Sequence, residues 1–464
     1  MGTGFPKDFA WGAAAASYQI EGVAYEDGKG LSTWDVFCRR PGAVWMGQSG
    51  DVACDHYHRY AEDVALMKEV GLKAYRLSIS WPRVMPEGTG KVNPKGLGFY
   101  DRLIDELTAK GIEPYVTLFH WDYPHELYCR GGWLNRESPD WFAEYASVIA
   151  DRLSDRVANW MTLNEPNCFV GYGHIDAVDA PGLKLDLPDV LRLAHHVLLA
   201  HGKAVEALRA RAKGPCRVGM APAYIVRIPA TDDPADVEAA RTAMFSVDSV
   251  YPDTICSQFV GQPNYWWMDP IFLGRYPEEG LKYYGAAVPK ITGADLETIS
   301  QPLDFCGVNI YWGRRRRMGK DGKPEPVAEP VGGPLVIGAV PVTPEALYWG
   351  PKFLYERYGK PIVITENGMA NPDWIASDGK VHDPQRIDFL RRYLSALRAA
   401  CEDGVPVRGY FQWSIMDNFE WGLGYGRRLG LIYVDYPTQR RIIKDSGRWY
   451  SKVIASNGAA LSEP

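Results

Sequence analysis

The sequence predicts an α/β fold, a single (β/α)8 barrel with long loop insertions, and three observations carry that expectation. Eight short apolar runs lie along the 464 residues with little polar alternation, the pattern of strands covered on both faces. Between them, apolar residues recur at spacings of three and four, the pattern of helices with one buried face. No fixed-period repeat and no Pro/Ser/Gly-rich linker divides the chain, so residues 1–464 are expected to form one domain.

The runs are FAWGAAAA from Phe9, AYRLSIS from Ala74, EPYVTLF from Glu113 and ANWMTLN from Ala158. RVGMAPA from Arg217, DFCGVNIY from Asp304, PIVITEN from Pro361 and RGYFQWSIM from Arg408 complete the set. The intervening helices carry their own punctuation. Asn93–Pro94 opens a segment ending at Gly111, with Pro at the first helical position. Asp383 is a candidate N-cap before Pro384, and Ile387, Leu390, Leu394, Leu397 and Ala400 form the apolar stripe that follows. Gly404 stands where that helix should stop. A barrel of this type needs about 250 residues, so the surplus goes to loops. The longest candidate gaps are Ala223 to Asp304 and Tyr311 to Pro361.

Composition excludes several classes. The net charge is −6, so a general nucleic-acid binder is not expected. No stretch approaches 18 unbroken apolar residues, and no membrane span is expected. The start, MGTGFPKDFAWG, lacks a basic segment followed by an apolar one, so a secretory leader is not expected either. The 8 cysteines form no C-x-x-C pair and suit free thiols in a reducing, cytoplasmic setting. Aromatic residues reach 12%, and flat rings pack cores or stack on sugar rings.

In such a barrel, chemistry sits at the C-terminal ends of the strands. The third run ends in His120–Trp121–Asp122, and the fourth in Asn164–Glu165–Pro166. The sixth ends in Asn309–Ile310–Tyr311, the seventh in Glu366–Asn367–Gly368, and the eighth in Trp413 with Asp417 and Glu420–Trp421 beyond it. Arg76 lies within the second run, and Gln19 follows the first. A glutamate ending a buried strand is costly unless it is hydrogen bonded or functional. Glu165 and Glu366 facing each other across the mouth would suit glycoside hydrolysis, in which one carboxyl protonates the leaving oxygen. The second would attack the anomeric carbon or activate water, according to their separation. The plain alternative is a pair of structural ion pairs with barrel arginines such as Arg76.

Several longer motifs resemble the family-one β-glycosidases, the β-glucosidase family. TLNEP (Thr162–Pro166) resembles that family's acid/base motif, and VITENG (Val363–Gly368) its nucleophile motif. GGWLNRE (Gly131–Glu137) and WSIMDNFEW (Trp413–Trp421) add two more matches. The likeness runs from FPKDFAWGAAAASYQIEG at Phe5 to the segment ending at Tyr450. It implies a retaining exo-β-glucosidase with Glu366 as nucleophile and Glu165 as acid/base. Arg76 and Tyr311 would keep Glu366 ionised. Asn164 would bind the sugar 2-hydroxyl, and Asn309 would support the centre. Gln19, His120, Trp121, Trp413, Glu420 and Trp421 would line the glycon pocket. No metal or cofactor is implied. The implied partners are small β-glucosides and short β-linked oligosaccharides such as cellobiose, with β-fucosides or β-galactosides as side substrates and transglycosylation as a side reaction. Glu420, where phosphosugar-acting relatives carry Ser, implies an unphosphorylated glycon. A sugar-binding barrel without catalysis and an inverting hydrolase are the rival readings.

The likeness has gaps. Asn167 stands where the family usually has Trp, Tyr172 and His174 where it more often has other apolar or aromatic residues, and Asp179 where it has His. Leu429 replaces a common Phe. Asn167, Tyr172 and His174 are expected at the aglycone entrance, which loss of the Trp would widen.

Weaker signals have plain explanations. Cys54-x-His56-x-His58 has metal-ligand types, but it opens a helical pattern and fits no standard zinc spacing. His195, His196 and His201 fall on an amphipathic helix from Leu187. Arg314–Arg317 reads as a solvated loop after the sixth run. No phosphate-binding loop and no G-x-S-x-G elbow are present, which removes those two enzyme classes.

Overall fold

A computed structural model describes residues 4–246, 264–338 and 340–462. Its main sheet is a parallel ring. The strands β1 (Ala10–Ala14), β2 (Ala74–Ser78), β3 (Glu113–Phe119), β4 (Asn159–Asn164) and β5 (Arg217–Ala221) pair in sequence. They are followed by β6 (Ala223–Pro229), β7 (Cys306–Met318), β8 (Pro324–Pro326), β9 (Ile362–Asn367) and β10 (Val407–Trp413). β10 pairs with both β1 and β9, and β7 joins β9 to β6.

All eight apolar runs contribute a strand. The fifth run is broken in two by Pro222, which has no N–H to give a ladder. β5 pairs with β4, β6 pairs with β7, and the Pro222 carbonyl accepts from the Asn309 N–H, so the broken strand closes the barrel. Most strand residues are buried, and β1, β2, β4 and β9 wholly so, because helices cover the outside and side chains fill the inside. Gly12 shows how tight the filling is. A Cβ there would lie 2.5 Å from the Phe411 ring on the neighbouring β10.

The helices Pro94–Ala109 and Pro384–Glu402 stand where the sequence puts them. Asn93 caps the first through its side chain, as expected. Asp383 does not cap the second. Its carboxylate is taken by the Ser446 backbone N–H at 2.8 Å and by Arg386, because a buried charge is held best by a cation.

The arginine run needs a larger correction. Arg314–Arg317 is no solvated loop but the outer half of β7, flanked by β6 and by the short β8. Arg315 is paired with Glu329 and Glu345 and Arg317 with Glu325, while Arg316 is buried. The start of the gap expected after Tyr311 is therefore strand, and the helix Ala346–Tyr358 fills its far end.

His56, His58 and Cys54 also part company. His56 bonds Asp63 at 2.8 Å, the Cys54 thiol donates to the Asp417 carbonyl, and His58 is exposed beside Asp55. Among the described residues no cluster of potential ligands could hold a metal ion. His195, His196 and His201 lie on the helix Leu187–Arg211 and pack against Tyr276, Trp133 and Thr162. Among the described residues no helix is long and apolar enough to cross a membrane. Of the cysteines, Cys256 lies outside the described residues, and the other seven are free thiols.

Candidate active site

The strand ends converge on two glutamates. Glu366 is the penultimate residue of β9, beside Asn309 on β7. Arg76 reaches it from β2 across the barrel and forms a buried ion pair with its Oε1. The guanidinium is itself fixed, donating to Thr117 Oγ1 at 3.1 Å, the Thr365 carbonyl at 3.2 Å and Asn164 Oδ1 at 2.6 Å. Tyr311 donates to the other oxygen, Oε2, at 2.9 Å. Burial, nearby carboxylates and this hydrogen bond push the phenol well above its ordinary range, so it stays a donor.

Glu165 follows β4 and precedes the helix Pro166–His174. Its backbone is left-handed, with φ 45°, and its side chain does not cap the helix. The carboxyl turns instead to Asn309, whose Nδ2 donates to Oε1 at 2.8 Å. The Cys168 thiol, one helical turn on, is its other hydrogen-bond partner. Among the described residues no cation pairs with it. Burial, and then the charge of Glu366, push its carboxyl up to about 8. Burial raises Glu366 too, but Arg76, Tyr311 and Asn309 all oppose the rise. Of the two carboxyls, Glu366 is therefore the one that ionises first.

One hydrogen-bonded chain links the pair. Arg76 and Asn309 both donate to Asn164 Oδ1, and Thr365 donates to Asn309 Oδ1 at 2.6 Å, which fixes the Asn309 amide. Asn164 Nδ2 donates to His120 Nε2 at 2.9 Å, leaving the ring proton on Nδ1. Burial holds His120 well below its ordinary range, so the ring is neutral.

An aromatic wall stands opposite. The Trp121 and Trp421 rings lie 4.7 Å apart with near-parallel planes, and His120 stacks on Trp413 at 5.6 Å. Trp121 and Trp421 also have positive φ, 78° and 48°. Left-handed backbone at three site residues costs on the order of 1–3 kcal/mol each and is held by its surroundings. Trp34 behind Trp421 at 4.7 Å is part of that support.

Gln19, on the turn Ser17–Ile20, donates to Asn418 Oδ1 and the Phe419 carbonyl, while its Oε1 has no partner among the described residues. Glu420 Oε2 lies 3.5 Å from the same amide nitrogen. Burial, then Glu366 and Asp179, push the Glu420 carboxyl up to about 8. A carboxyl so raised can donate as well as accept hydrogen bonds. A buried ion network holds this loop from below. Lys444 spans Asp373 at 2.5 Å and Asp417 at 2.6 Å, and Arg428 also pairs with Asp417. Gly368 brings the Glu366 loop against it, since a Cβ there would fall 1.9 Å from the Trp413 carbonyl.

The expected entrance residues fare differently. Asn167 is buried with both ends of its amide on the Ala223 backbone, at 3.1 and 3.2 Å. It seals the break in the fifth strand and does not present to an entrance, because a buried amide needs both partners. His174 bonds the Phe169 carbonyl, is held down to about 4 by burial, and lines a small cavity behind Trp121 with Tyr123 and Phe169. Tyr172 is half-buried at that helix's outer end. Leu429 is buried. Sequence reasoning missed Thr117, Thr365, Asn418 and Cys168. Only Cys168 carried a local signal, its spacing of three from Glu165 on a helix.

Comparison with known proteins places this geometry. Residues 1–459 match the sequence profile of Glycosyl hydrolase family 1. Beta-glucosidase A of Thermotoga maritima is 44% identical over 98% of each chain. Beta-glucosidase A of Acetivibrio thermocellus is 45% identical over 98% of this chain and 99% of its own. The bifunctional beta-D-glucosidase/beta-D-fucosidase of Bifidobacterium breve is 40% identical over 98% and 99%. The solved T. maritima beta-glucosidase in complex with glucoimidazole superposes with a TM-score of 0.88, at 43% identity, over 98% of this chain and all of that one.

Proposed function

The chain belongs to glycosyl hydrolase family 1, and on that premise we propose that residues 1–464 act as one catalytic barrel, a retaining exo-β-glucosidase. The observation that carries the proposal is the contrast between the two strand-end carboxyls. Glu366 is paired with Arg76 and Tyr311, while Glu165 has no cationic partner among the described residues and is lifted to about 8.

Glu366 attacks the anomeric carbon as a carboxylate while Glu165 passes its proton to the departing glycosidic oxygen, so the aglycone leaves neutral and a glycosyl ester remains. Glu165, now a carboxylate, takes a proton from water as that water attacks the anomeric carbon, and the C–O bond to Glu366 breaks. An alcohol or sugar in place of the water gives transglycosylation. Asn164 retains one amide hydrogen for the sugar 2-hydroxyl. Gln19 Oε1, His120 Nδ1 and Glu420 meet the other hydroxyls, and Trp121, Trp413 and Trp421 face the ring. Side activity on β-fucosides is supported by the bifunctional relative, and cellobiose-type glucosides are the expected natural class. Arg76, the cation that reaches Glu366, is committed to that carboxylate, which supports an unphosphorylated glycon. The free thiols support a reducing, cytoplasmic setting.

Proton NMR of an aryl β-glucoside digest tests the reading. β-Glucose appearing before mutarotation is expected. α-Glucose first would remove the nucleophile role from Glu366, and no glucose at all would favour a non-catalytic sugar-binding barrel.

A further inference from the structure

The segment that follows Glu366 and the segment that carries Glu420 are tied together beneath the pocket by one ammonium. Lys444 lies between a two-stranded hairpin, β11 (Ile432–Asp435) and β12 (Arg440–Ile443), and the helix Asp445–Ala455, and its side chain is fully buried. Its Nζ donates to Asp373 Oδ2 at 2.5 Å, on the segment after Glu366, and to Asp417 Oδ1 at 2.6 Å, just ahead of Glu420. Each aspartate is also held from a second side. Arg386 Nη2 donates to Asp373 Oδ2 at 2.8 Å, and Asn371 Nδ2 to its Oδ1 at 2.8 Å. Arg428 Nη1 donates to Asp417 Oδ2 at 2.7 Å, and the Gly430 N–H to its Oδ1 at 3.0 Å. The two segments touch through backbone as well, the Asn371 N–H donating to the Arg428 carbonyl at 3.0 Å.

Among the described residues this network sets three carboxylates, Asp373, Asp383 and Asp417, against three cations, Lys444, Arg386 and Arg428, so its charges cancel. Such a network adds little net stability, because desolvation offsets the attraction, but it fixes a separation and a direction. We propose that Lys444 is a positioning residue of the glycon pocket, holding the Glu420 segment at the distance from Glu366 at which one sugar meets both. The hydroxyl that Glu420 binds and the anomeric carbon that Glu366 attacks belong to one rigid ring. A segment displaced by a fraction of an ångström therefore gives up one contact or the other. Lys444 has no exposed surface and is out of a sugar's reach, so it acts through Glu420. The sugar it serves rests on the β-glucosidase reading.

The test cuts the tie without unbalancing the charges. Lys444→Met with Asp373→Asn removes one cation and one carboxylate and leaves the Arg428–Asp417 and Arg386–Asp383 pairs in place. This double variant, Glu420→Ala and the three substitutions together are compared with wild type as a coupling cycle. Two readouts are taken, calorimetric affinity for the iminosugar deoxynojirimycin and kcat/KM on methyl β-glucoside. The double variant should keep a cooperative thermal transition and lose about 10-fold in both readouts. In the Glu420→Ala background the same two substitutions should cost less than about twofold. An equal cost in both backgrounds is what a purely structural role gives, and it would overturn the proposal. So would unchanged affinity and kcat/KM in the double variant. Lys444→Met with Asp417→Asn cuts the tie from its other end and answers in its place if the first pair does not fold. Coupled affinities without glucose release by the wild type would defeat the proposed turnover but support positioning in a sugar-binding barrel. A wild type that neither binds the iminosugar nor releases glucose would defeat the proposed function, and the role of Lys444 with it.

Discussion

Glu366 on β9 and Glu165 after β4 end two strands of one barrel, and their carboxyls meet opposite surroundings. Glu366 is gripped by a guanidinium and a phenol, and the guanidinium is locked in turn by Thr117, Thr365 and Asn164. Among the described residues Glu165 has one amide, one thiol and no cation, on a strained backbone. Glu366 is buried and Glu165 half-buried, and desolvation raises both carboxyls, so it does not by itself separate them. The partners do. Two identical side chains are driven toward opposite protonation states by which hydrogen-bond donors and charges reach them.

The largest effect that could break this comparison comes from Glu366→Gln. Removing a nucleophile should lower kcat on the order of 10⁵-fold, measured by glucose release. Residual activity above a hundredth of wild type would end the nucleophile assignment. Glu165→Gln should cost about 10²–10⁴-fold on alkyl glucosides, whose leaving oxygen needs a proton. It should cost far less on a dinitrophenyl glucoside, whose leaving group departs unprotonated, in the glycosylation step read by kcat/KM. Equal losses on the two substrates would deny Glu165 its acid role.

The pH profile sharpens the contrast. Activity needs Glu165 protonated, so kcat/KM should fall as pH rises through about 8. It needs Glu366 ionised, so kcat/KM should also fall at acid pH. Tyr311→Phe removes a donor that favours the charged form of Glu366. The acid limb should therefore move up, by about one pH unit for a lost hydrogen bond to a charged group, with the alkaline limb nearly unmoved. A shift of the alkaline limb alone would reverse the assignment of the two carboxyls. The smallest effect is expected from Cys168→Ala. The thiol contact lowers the Glu165 carboxyl, so its loss should carry the alkaline limb upward while leaving the acid limb in place. A downward movement would contradict the contact.

Much of this was legible without the fold. The eight runs read as strands because burial on both faces leaves a local apolar signature, and Glu165 and Glu366 stood out because a glutamate rarely ends such a run. Arg314–Arg317 misled because four charges in a row look solvated. The strand partners β6 and β8, and acids such as Glu325 and Glu345, let them sit in a sheet instead. Asn167 misled for a related reason. Its site opposite the Ala223 backbone exists only once Pro222 has broken the fifth strand.

By itself, the sequence determined the strand–helix alternation, the positions of the two carboxyls and the aromatic content of the pocket, all of which depend on residue type and near spacing. The tertiary structure alone decided which donors and charges reach each carboxyl, which side of each amide is free and how the broken fifth strand closes. Those depend on contacts such as Arg76 to Glu366, 290 residues apart, and on burial in which a hydrogen bond or a charge weighs far more than in water.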